Sequence, residues 1–114
     1  MNKKEVIILE KYEIRITKDA ARDMEVISDY IKHVLKEPEI AKKIMKKIKL
    51  KIQETANYPE VYSIISSDEY IRYLNVRKVL VDNYIIFFEL DTHKKIMYVA
   101  RIIHGRRNWI DLIK

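Results

Sequence analysis

The sequence predicts an α+β fold of the order β-α-α-β-β-β, in which a small antiparallel sheet packs against a two-helix hairpin. Apolar residues alternate near the N-terminus, recur at helical spacing through the middle, and form three strand-like runs in the second half. With 114 residues, 48% of them hydrophobic and 35% charged, the chain has the size and composition of one globular domain. We expect that domain at residues 12–114, preceded by an N-terminal extension of residues 1–11.

The first strand is predicted at residues 12–17, YEIRIT, where apolar and charged side chains alternate with the period of a half-buried strand. Thr17 suits the N-cap of the first helix, and Asp19 suits its first turn. We expect this helix at residues 18–36. Its apolar residues recur at three- and four-residue steps: Ala20, Met24, Ile27, Ile31, Val34 and Leu35.

The second helix is predicted at residues 38–57 and is strongly polarised. Pro38 separates it from the first helix, because proline is tolerated only in a helix's first turn. One arc carries Ile40, Ala41, Ile44, Met45, Ile48 and Ile52, and the opposite arc carries Lys42, Lys43, Lys46, Lys47 and Lys49. The lysines form either a solvated face or a surface for nucleic acid or a partner, with Leu50 standing among them. No acidic residue interrupts residues 40–51, so the local potential is positive in both cases.

Three further strands are predicted at residues 71–81, 84–90 and 95–103. Asp82 and Asn83 form a two-residue turn, since both residue types tolerate the left-handed region that a tight hairpin requires. Residues 91–94 form a second, looser turn. The first strand is expected to join the sheet beside one of these later strands.

Several classes of function are excluded or disfavoured by composition. The absence of cysteine excludes a disulfide scaffold, a thiol nucleophile and thiolate zinc sites, and fits a reducing compartment. The single glycine leaves no phosphate-cradling loop, and His33, His93 and His104 lie in different elements, which argues against a metal site. We therefore expect no metal, cofactor or small-molecule substrate. No apolar run is long enough for a signal peptide or a membrane span, so a cytoplasmic location without a membrane partner is expected.

Positive charge points towards an anionic partner. The chain has 23 basic and 17 acidic residues, a net charge of +6 and a pI near 9.4, which favours phosphate polymers or an acidic protein. The charge is concentrated near the C-terminus in RIIHGRRNW, which contains Arg101, His104, Arg106, Arg107 and Trp109. Arginine planes and an indole can grip phosphates and stack on bases, and histidine can act as a general acid or base.

Structural roles compete with these functional ones. Strict alternation along the last strand puts Arg101 on the same face as Met97, Val99 and Ile103. A charged residue in an otherwise apolar strand requires a partner, for which a sheet carboxylate such as Glu89 or Asp91 is available. Trp109 is followed by further apolar residues, so it fits a C-terminal tail that packs on the core as well as a stacking role. The arginines at 106 and 107 are either target-binding or simply exposed.

YEIRIT followed by a helical hairpin, then VRKVLVDNYIIFFEL and YVARIIHGRRNW, resembles the RelE/ParE toxins of bacterial type II toxin–antitoxin (plasmid-stabilisation) systems. The resemblance covers residues 12–112, and its most specific part is NYIIFF combined with a terminal R-x-x-H-x-R motif. It implies a growth-inhibiting toxin with a small sheet backed by two helices. It also implies a cognate antitoxin whose acidic or amphipathic segment wraps the toxin.

The RelE branch of this superfamily cuts mRNA on the ribosome without a metal. Resemblance to this branch implies that Lys78 corresponds to its catalytic lysine. It also implies that Arg106 or Arg107 corresponds to its C-terminal arginine. Trp109 stands for a stacking tyrosine, although it lies close to the arginines. The branch typically carries an arginine after the tyrosine that opens the third strand, whereas Ile85 follows Tyr84 here. For an endonuclease the candidate catalytic residues are Arg77, Lys78, Arg101, His104 and Arg106.

The ParE branch inhibits DNA gyrase and cuts nothing itself. The long helix pair, Ile85 and the sequence HGRRN resemble this branch more closely, so the sequence favours a gyrase inhibitor. The target-binding candidates are Arg106, Arg107, Trp109 and Lys46. A third hypothesis is an inactive member that only binds its antitoxin.

Overall fold

The computed structural model describes residues 11–65 and 75–107 and has the predicted α+β order. Within these residues, no helix is long and apolar enough to cross a membrane. The elements are β1 (Glu13–Ile16), α1 (Lys18–Asp29), a π-helical turn (Tyr30–Val34), α2 (Pro38–Thr55), a 3-10 turn (Pro59–Val61), β2 (Val76–Val81), β3 (Tyr84–Asp91) and β4 (Ile96–His104).

The four strands form one sheet in the order β1-β4-β3-β2. The last three strands form the expected antiparallel meander. β1 joins the sheet beside β4, as expected, but it runs parallel to β4, with Ile14 opposite Met97. The sheet is therefore mixed, whereas the sequence predicted an antiparallel one. The long helical crossover after β1 permits this, because only a tight hairpin forces neighbouring strands to run antiparallel.

Thr17 connects the first helix to the sheet. Its hydroxyl oxygen accepts a hydrogen bond from the Ala20 amide at 3.1 Å, which confirms it as the N-cap of α1. The same hydroxyl lies 2.9 Å and 3.0 Å from the carbonyl oxygens of Val99 and Ala100 in β4. The start of α1 is thereby fixed against the end of the sheet that carries the basic C-terminal segment.

The first helix differs from its predicted form at its C-terminal end. The α-helix ends at Asp29, and in the following π-helical turn the Leu35 amide donates to the carbonyl of Tyr30 at 3.1 Å. Ile31 stays buried, but Val34 and Leu35 are 62% and 51% exposed, contrary to their predicted place on the buried face. The extra residue in a π turn rotates the residues after it away from the face set by the preceding α-helix.

Apolar residues pack on both faces of the sheet. The main core lies between the sheet and the helices and includes Ile48, Ile52, Ile86, Phe88, Met97, Val99 and Ile102. Since side chains alternate along a strand, Ile85 and Phe87 point to the opposite face. There they form a second cluster with Ile65, Val76 and Ile103.

A bulge in β4 separates residues that the sequence placed on one face. Phe87 lies opposite Arg101 and Phe88 lies opposite Val99, so Ala100 is the extra residue. Val99 therefore packs in the main core, whereas Ile103 packs in the second cluster. The strict alternation of faces predicted for this strand is wrong beyond Val99. Arg101 follows the bulge residue directly, where the alternation of side chains between the two faces is shifted by one residue.

Candidate target-binding site

Arg101 is held by an aspartate on the first helix. Its Nε and one terminal nitrogen donate to the Asp23 carboxylate at 2.7 Å and 3.0 Å, and that carboxylate also accepts from the Ile102 amide at 2.9 Å. This hydrogen bonding raises the pKa of Arg101. The prediction of Glu89 or Asp91 as the partner is wrong. β1 ends beside Val99, so α1 rather than a strand lies against the remaining edge of β4.

Arg77 binds the chain that follows α2. Its terminal nitrogen donates to the carbonyl oxygens of Tyr62 and Glu60, the latter at 3.3 Å. Arg77 lies two residues before Val79, which packs in the main core, so both side chains point to the helix-bearing face. Its Nε is buried and has no hydrogen-bond partner among the described residues.

Lys78 lies on the opposite face from its neighbour Arg77. Its register partner in β3 is Phe87, whose own partner in β4 is Arg101. The side chain of Lys78 is half-buried. Adjacent positions in the sequence therefore place these two cations on different sides of the sheet.

His104 ends β4 and packs against Tyr84, the first residue of β3. The two rings stand edge to face with centroids 5.3 Å apart, and the Nδ1 atom of His104 accepts from the Arg106 amide at 3.1 Å. Burial raises the pKa of Tyr84, and the nearby Asp82 adds to that increase. Asp82 adopts a left-handed conformation, with φ of 49°, as predicted for the β2–β3 turn.

The end of the strand borders a cavity beneath the tip of the helical hairpin. The Gly105 amide donates to the carbonyl of Asn83 at 2.8 Å, which turns the chain away from β4. His104 and Tyr84 line a cavity of about 600 Å³ together with residues of the hairpin tip, including Ile31, Leu35 and Ile40.

Arg106 and Arg107 are exposed beyond this turn. Within the described parts of the chain, no carboxylate forms an ion pair with either guanidinium, in contrast to Arg101. They are therefore available to an external anion as far as these residues show. Trp109 lies outside the described residues.

Ile85 occupies the position where the RelE branch typically has an arginine. It is 6% exposed and belongs to the second apolar cluster. Ile85 is thus an apolar core residue at a position where the resemblance to the RelE branch leads us to expect an arginine.

Lys46 lies on the exposed side of α2. It lines a groove of about 460 Å³ between the two helices, whose other residues include Lys32, Lys42, Lys49, Met45 and Leu50. The lysine-rich arc predicted on α2 is therefore exposed, and it lies on a different element from the segment that contains His104.

The sequence-predicted candidates do not form one cluster. Arg77 binds the loop after α2, Lys78 lies on the other face, and Arg101 is paired at the edge of the sheet. His104 and Arg106 are joined at the end of β4. In the described part of the chain, no group of acidic or histidine side chains has the arrangement of a metal site.

Asp23 is the important residue that the sequence did not indicate. It contacts Arg101 across a separation of 78 residues, and nothing in its own helix distinguishes it from other surface acids. Its role follows from the position of the partly buried Arg101 at a strand edge beside α1.

A family model described as the ParE toxin of the type II toxin–antitoxin system, parDE, matches residues 14–109. A chromosomal ParDE system from P. aeruginosa has a similar structure, with a TM-score of 0.67 and 21% identity over 82% of this chain and 96% of that chain.

Two further solved structures share the fold. The RelBE2 toxin–antitoxin complex from Mycobacterium tuberculosis gives a TM-score of 0.58 and 14% identity over 83% of this chain and 99% of that chain. A mutant of the E. coli toxin RelE in the free state gives a TM-score of 0.63 and 10% identity over 90% of this chain and 93% of that chain. No curated protein matches significantly. On the family match, the chain belongs to the ParE toxins of type II toxin–antitoxin systems, within the RelE/ParE superfamily.

Proposed function

We propose that this toxin arrests growth by inhibiting DNA gyrase and that a cognate antitoxin neutralises it. The family match supports the toxin class, and the solved ParDE and RelBE2 systems support an antitoxin as partner. The choice of gyrase rests on one observation, the dispersal of the cations that an endonuclease requires.

Metal-free RNA cleavage requires a base for the 2′-hydroxyl, a cation for the phosphorane and an acid for the leaving oxygen. Arg101 is committed to Asp23, and Arg77 is directed to the other face of the sheet from Lys78. Ile85 is apolar and packs in the second cluster, so it supplies no charge to a cleavage site on that face of the sheet. These placements support a toxin that binds its target rather than one that cleaves it.

Binding a protein target requires exposed groups that can become desolvated at an interface. Arg106 and Arg107 provide such groups at the end of β4, where His104 fixes the turn through the Arg106 amide. Arginine is enriched in interface hot spots because its planar group makes several hydrogen bonds. Lys46 and the other α2 lysines add long-range attraction to an anionic partner.

A ribosome-dependent mRNA endonuclease is the second candidate. Lys78, Phe87 and Arg101 are register partners on three neighbouring strands, so a lysine and an arginine flank one aromatic ring. This function requires Arg101 to exchange Asp23 for an RNA phosphate. In that case His104→Ala and Arg106→Ala abolish cutting while leaving unfolding cooperative.

Expression of the toxin in cells separates the candidates. A gyrase inhibitor produces DNA breakage and an SOS response while transcripts stay intact. Transcripts cut within codons, with intact chromosomes, would refute the gyrase proposal. Growth without either lesion, together with tight antitoxin binding, would identify an inactive member.

A further inference from the structure

The exposed side of α2 carries a broad band of positive charge. We call Lys42, Lys43, Lys46, Lys47 and Lys49 the lysine face. At 100° per residue these positions cover an arc of about 160°, and the helix rises about 10.5 Å from Lys42 to Lys49. All five are exposed, and Lys32 of the π-helical turn extends the band across the groove between the helices.

In residues 11–65 and 75–107, two carboxylates form ion pairs with the lysine face. Lys47 pairs with Asp82 at 3.2 Å, and Lys42 lies 3.7 Å from Glu39 in a highly exposed pair. Among the described residues no ion pair involves Lys43, Lys46 or Lys49. A row of like charges on one helix is destabilising by itself, so a partner that supplies negative charge relieves that repulsion.

The shape of the charged band distinguishes two kinds of anionic partner. A single partner helix that packs as in a coiled coil contacts only a narrow seam of α2, and would leave the lysines at one side of this arc of about 160° unpaired. A DNA duplex presents one phosphate charge per 1.7 Å of its axis, or about six over the length of the lysine face, and these phosphates follow a curved surface. The width of the band therefore favours DNA over an acidic helix.

Apolar groups in the groove are compatible with this partner. Met45 and Leu50 line the groove with Lys42, Lys46 and Lys49. Lysine side chains lay their methylene groups along apolar surface while the ammonium group stays in water. The apolar floor thus supports extended lysines whose charged ends remain available to phosphates.

We propose that the lysine face binds the phosphate backbone of double-stranded DNA without reading its sequence. The selection of DNA as the polyanion rests on the proposed function, since gyrase acts on DNA. The toxin then contacts both the enzyme, through the segment that contains Arg106 and Arg107, and the DNA beside it, through α2.

The test is the salt dependence of binding to a labelled 20-base-pair duplex, measured by fluorescence anisotropy with purified toxin. Each phosphate contact contributes about −0.9 to the slope of log K against log salt. The variant Lys43→Gln/Lys46→Gln/Lys49→Gln is expected to reduce the magnitude of that slope by about 2 to 3.

A charge-matched control is Lys18→Gln/Lys36→Gln/Lys94→Gln, which removes three exposed lysines outside the lysine face. It is expected to change the slope by less than about 1. Equal slopes in the two triple variants would overturn the proposal, because net charge alone would then explain binding. So would preferential binding of a helical peptide with glutamates at heptad spacing, which would assign the lysine face to an acidic protein.

Gyrase inhibition is measured separately, so the two proposals fail independently. If the duplex binds through the lysine face but supercoiling is unaffected by the toxin, the gyrase proposal fails and this one stands. If supercoiling is inhibited but the duplex does not bind, the proposal of DNA binding by the lysine face fails and the gyrase proposal stands.

Discussion

The Asp23 carboxylate accepts two hydrogen bonds from the Arg101 guanidinium and a third from the backbone N–H of Ile102. The ion pair is mostly buried, with side-chain exposures of 13% for Asp23 and 24% for Arg101. An unpaired strand edge exposes backbone N–H groups to unwanted association with another chain. The Asp23 carboxylate at this edge accepts a hydrogen bond from one such group, the Ile102 N–H. The pair therefore secures the end of β4 that leads to His104 and the exposed arginines.

Removing this carboxylate is expected to destabilise the fold strongly. Asp23→Ala removes the acceptor of two hydrogen bonds from the Arg101 guanidinium and of one from the Ile102 amide, at a cost of about 2 to 3 kcal/mol in the free energy of unfolding. Urea denaturation measures the loss. Asp29→Ala in the same helix is the control, because Asp29 is exposed and makes no side-chain cap hydrogen bond. A loss below about 0.5 kcal/mol for Asp23→Ala would contradict this role.

The substitution Ile85→Arg tests whether the apolar cluster around residue 85 can accommodate the arginine that is typical of the endonuclease branch. Because Ile85 is buried among Phe87 and Ile103, an arginine there is expected to cost more than about 3 kcal/mol and to confer no RNA cleavage. Thermal unfolding and a translation-extract cleavage assay measure the two effects. Leu80→Arg, at a 60% exposed strand position, should be nearly neutral. A stable Ile85→Arg protein that cuts mRNA would show that only this charge was lacking.

The junction between β1 and α1 provides a third prediction. Thr17→Ala removes the N-cap of α1 and its hydroxyl contacts with the β4 carbonyls, so a loss of about 1 to 2 kcal/mol is expected. Thr17→Ser retains the hydroxyl and should recover most of this stability. Chemical denaturation distinguishes the two, and equal midpoints for Thr17→Ala and the unmutated protein would contradict the capping role.

Glu89 is expected to make stability depend on pH. Loss of hydration raises its pKa in the folded protein, although the side chain stays partly exposed. The folded state therefore retains the proton to higher pH than the unfolded state, and stability falls as pH rises from the unfolded pKa, about 4.3, through the folded one.

Glu89→Gln removes that ionisation and is expected to raise the Tm at pH 7 while leaving it unchanged at pH 3. Glu25→Gln, an exposed change on α1, controls for the loss of one negative charge. A Tm increase of equal size at both pH values would point to packing instead of ionisation.

Sequence patterns predicted the elements that depend on local chemistry. The Thr17 cap, the Pro38 helix start and the Asp82 turn each need only their own residues and near neighbours, and the structure confirms all three. Periodicity placed α2, β1, β3 and β4 for the same reason. The strand predicted from residue 71 begins instead at Val76, because Asn75 adopts a left-handed turn conformation with φ of 58°, and residues 71–74 lie outside the described ones.

Features that depend on distant residues were not predictable in this way. The parallel pairing of β1, the bulge at Ala100 and the Asp23–Arg101 pair each join segments far apart in the chain. The bulge also invalidated a face assignment that relied on strict alternation. In the candidate site, sequence alone could group the cations by proximity in the chain, whereas the sheet separates Arg77 from Lys78 and withdraws Arg101.

The central claim is most directly tested by supercoiling of relaxed plasmid with purified gyrase and increasing amounts of toxin. We expect inhibition by the unmutated toxin, at least about tenfold weaker inhibition by Arg106→Ala/Arg107→Ala, and no change for Lys94→Ala, since we propose the two exposed arginines as interface hot spots. Gyrase that remains fully active while the same toxin preparation cleaves ribosome-bound mRNA would contradict the account.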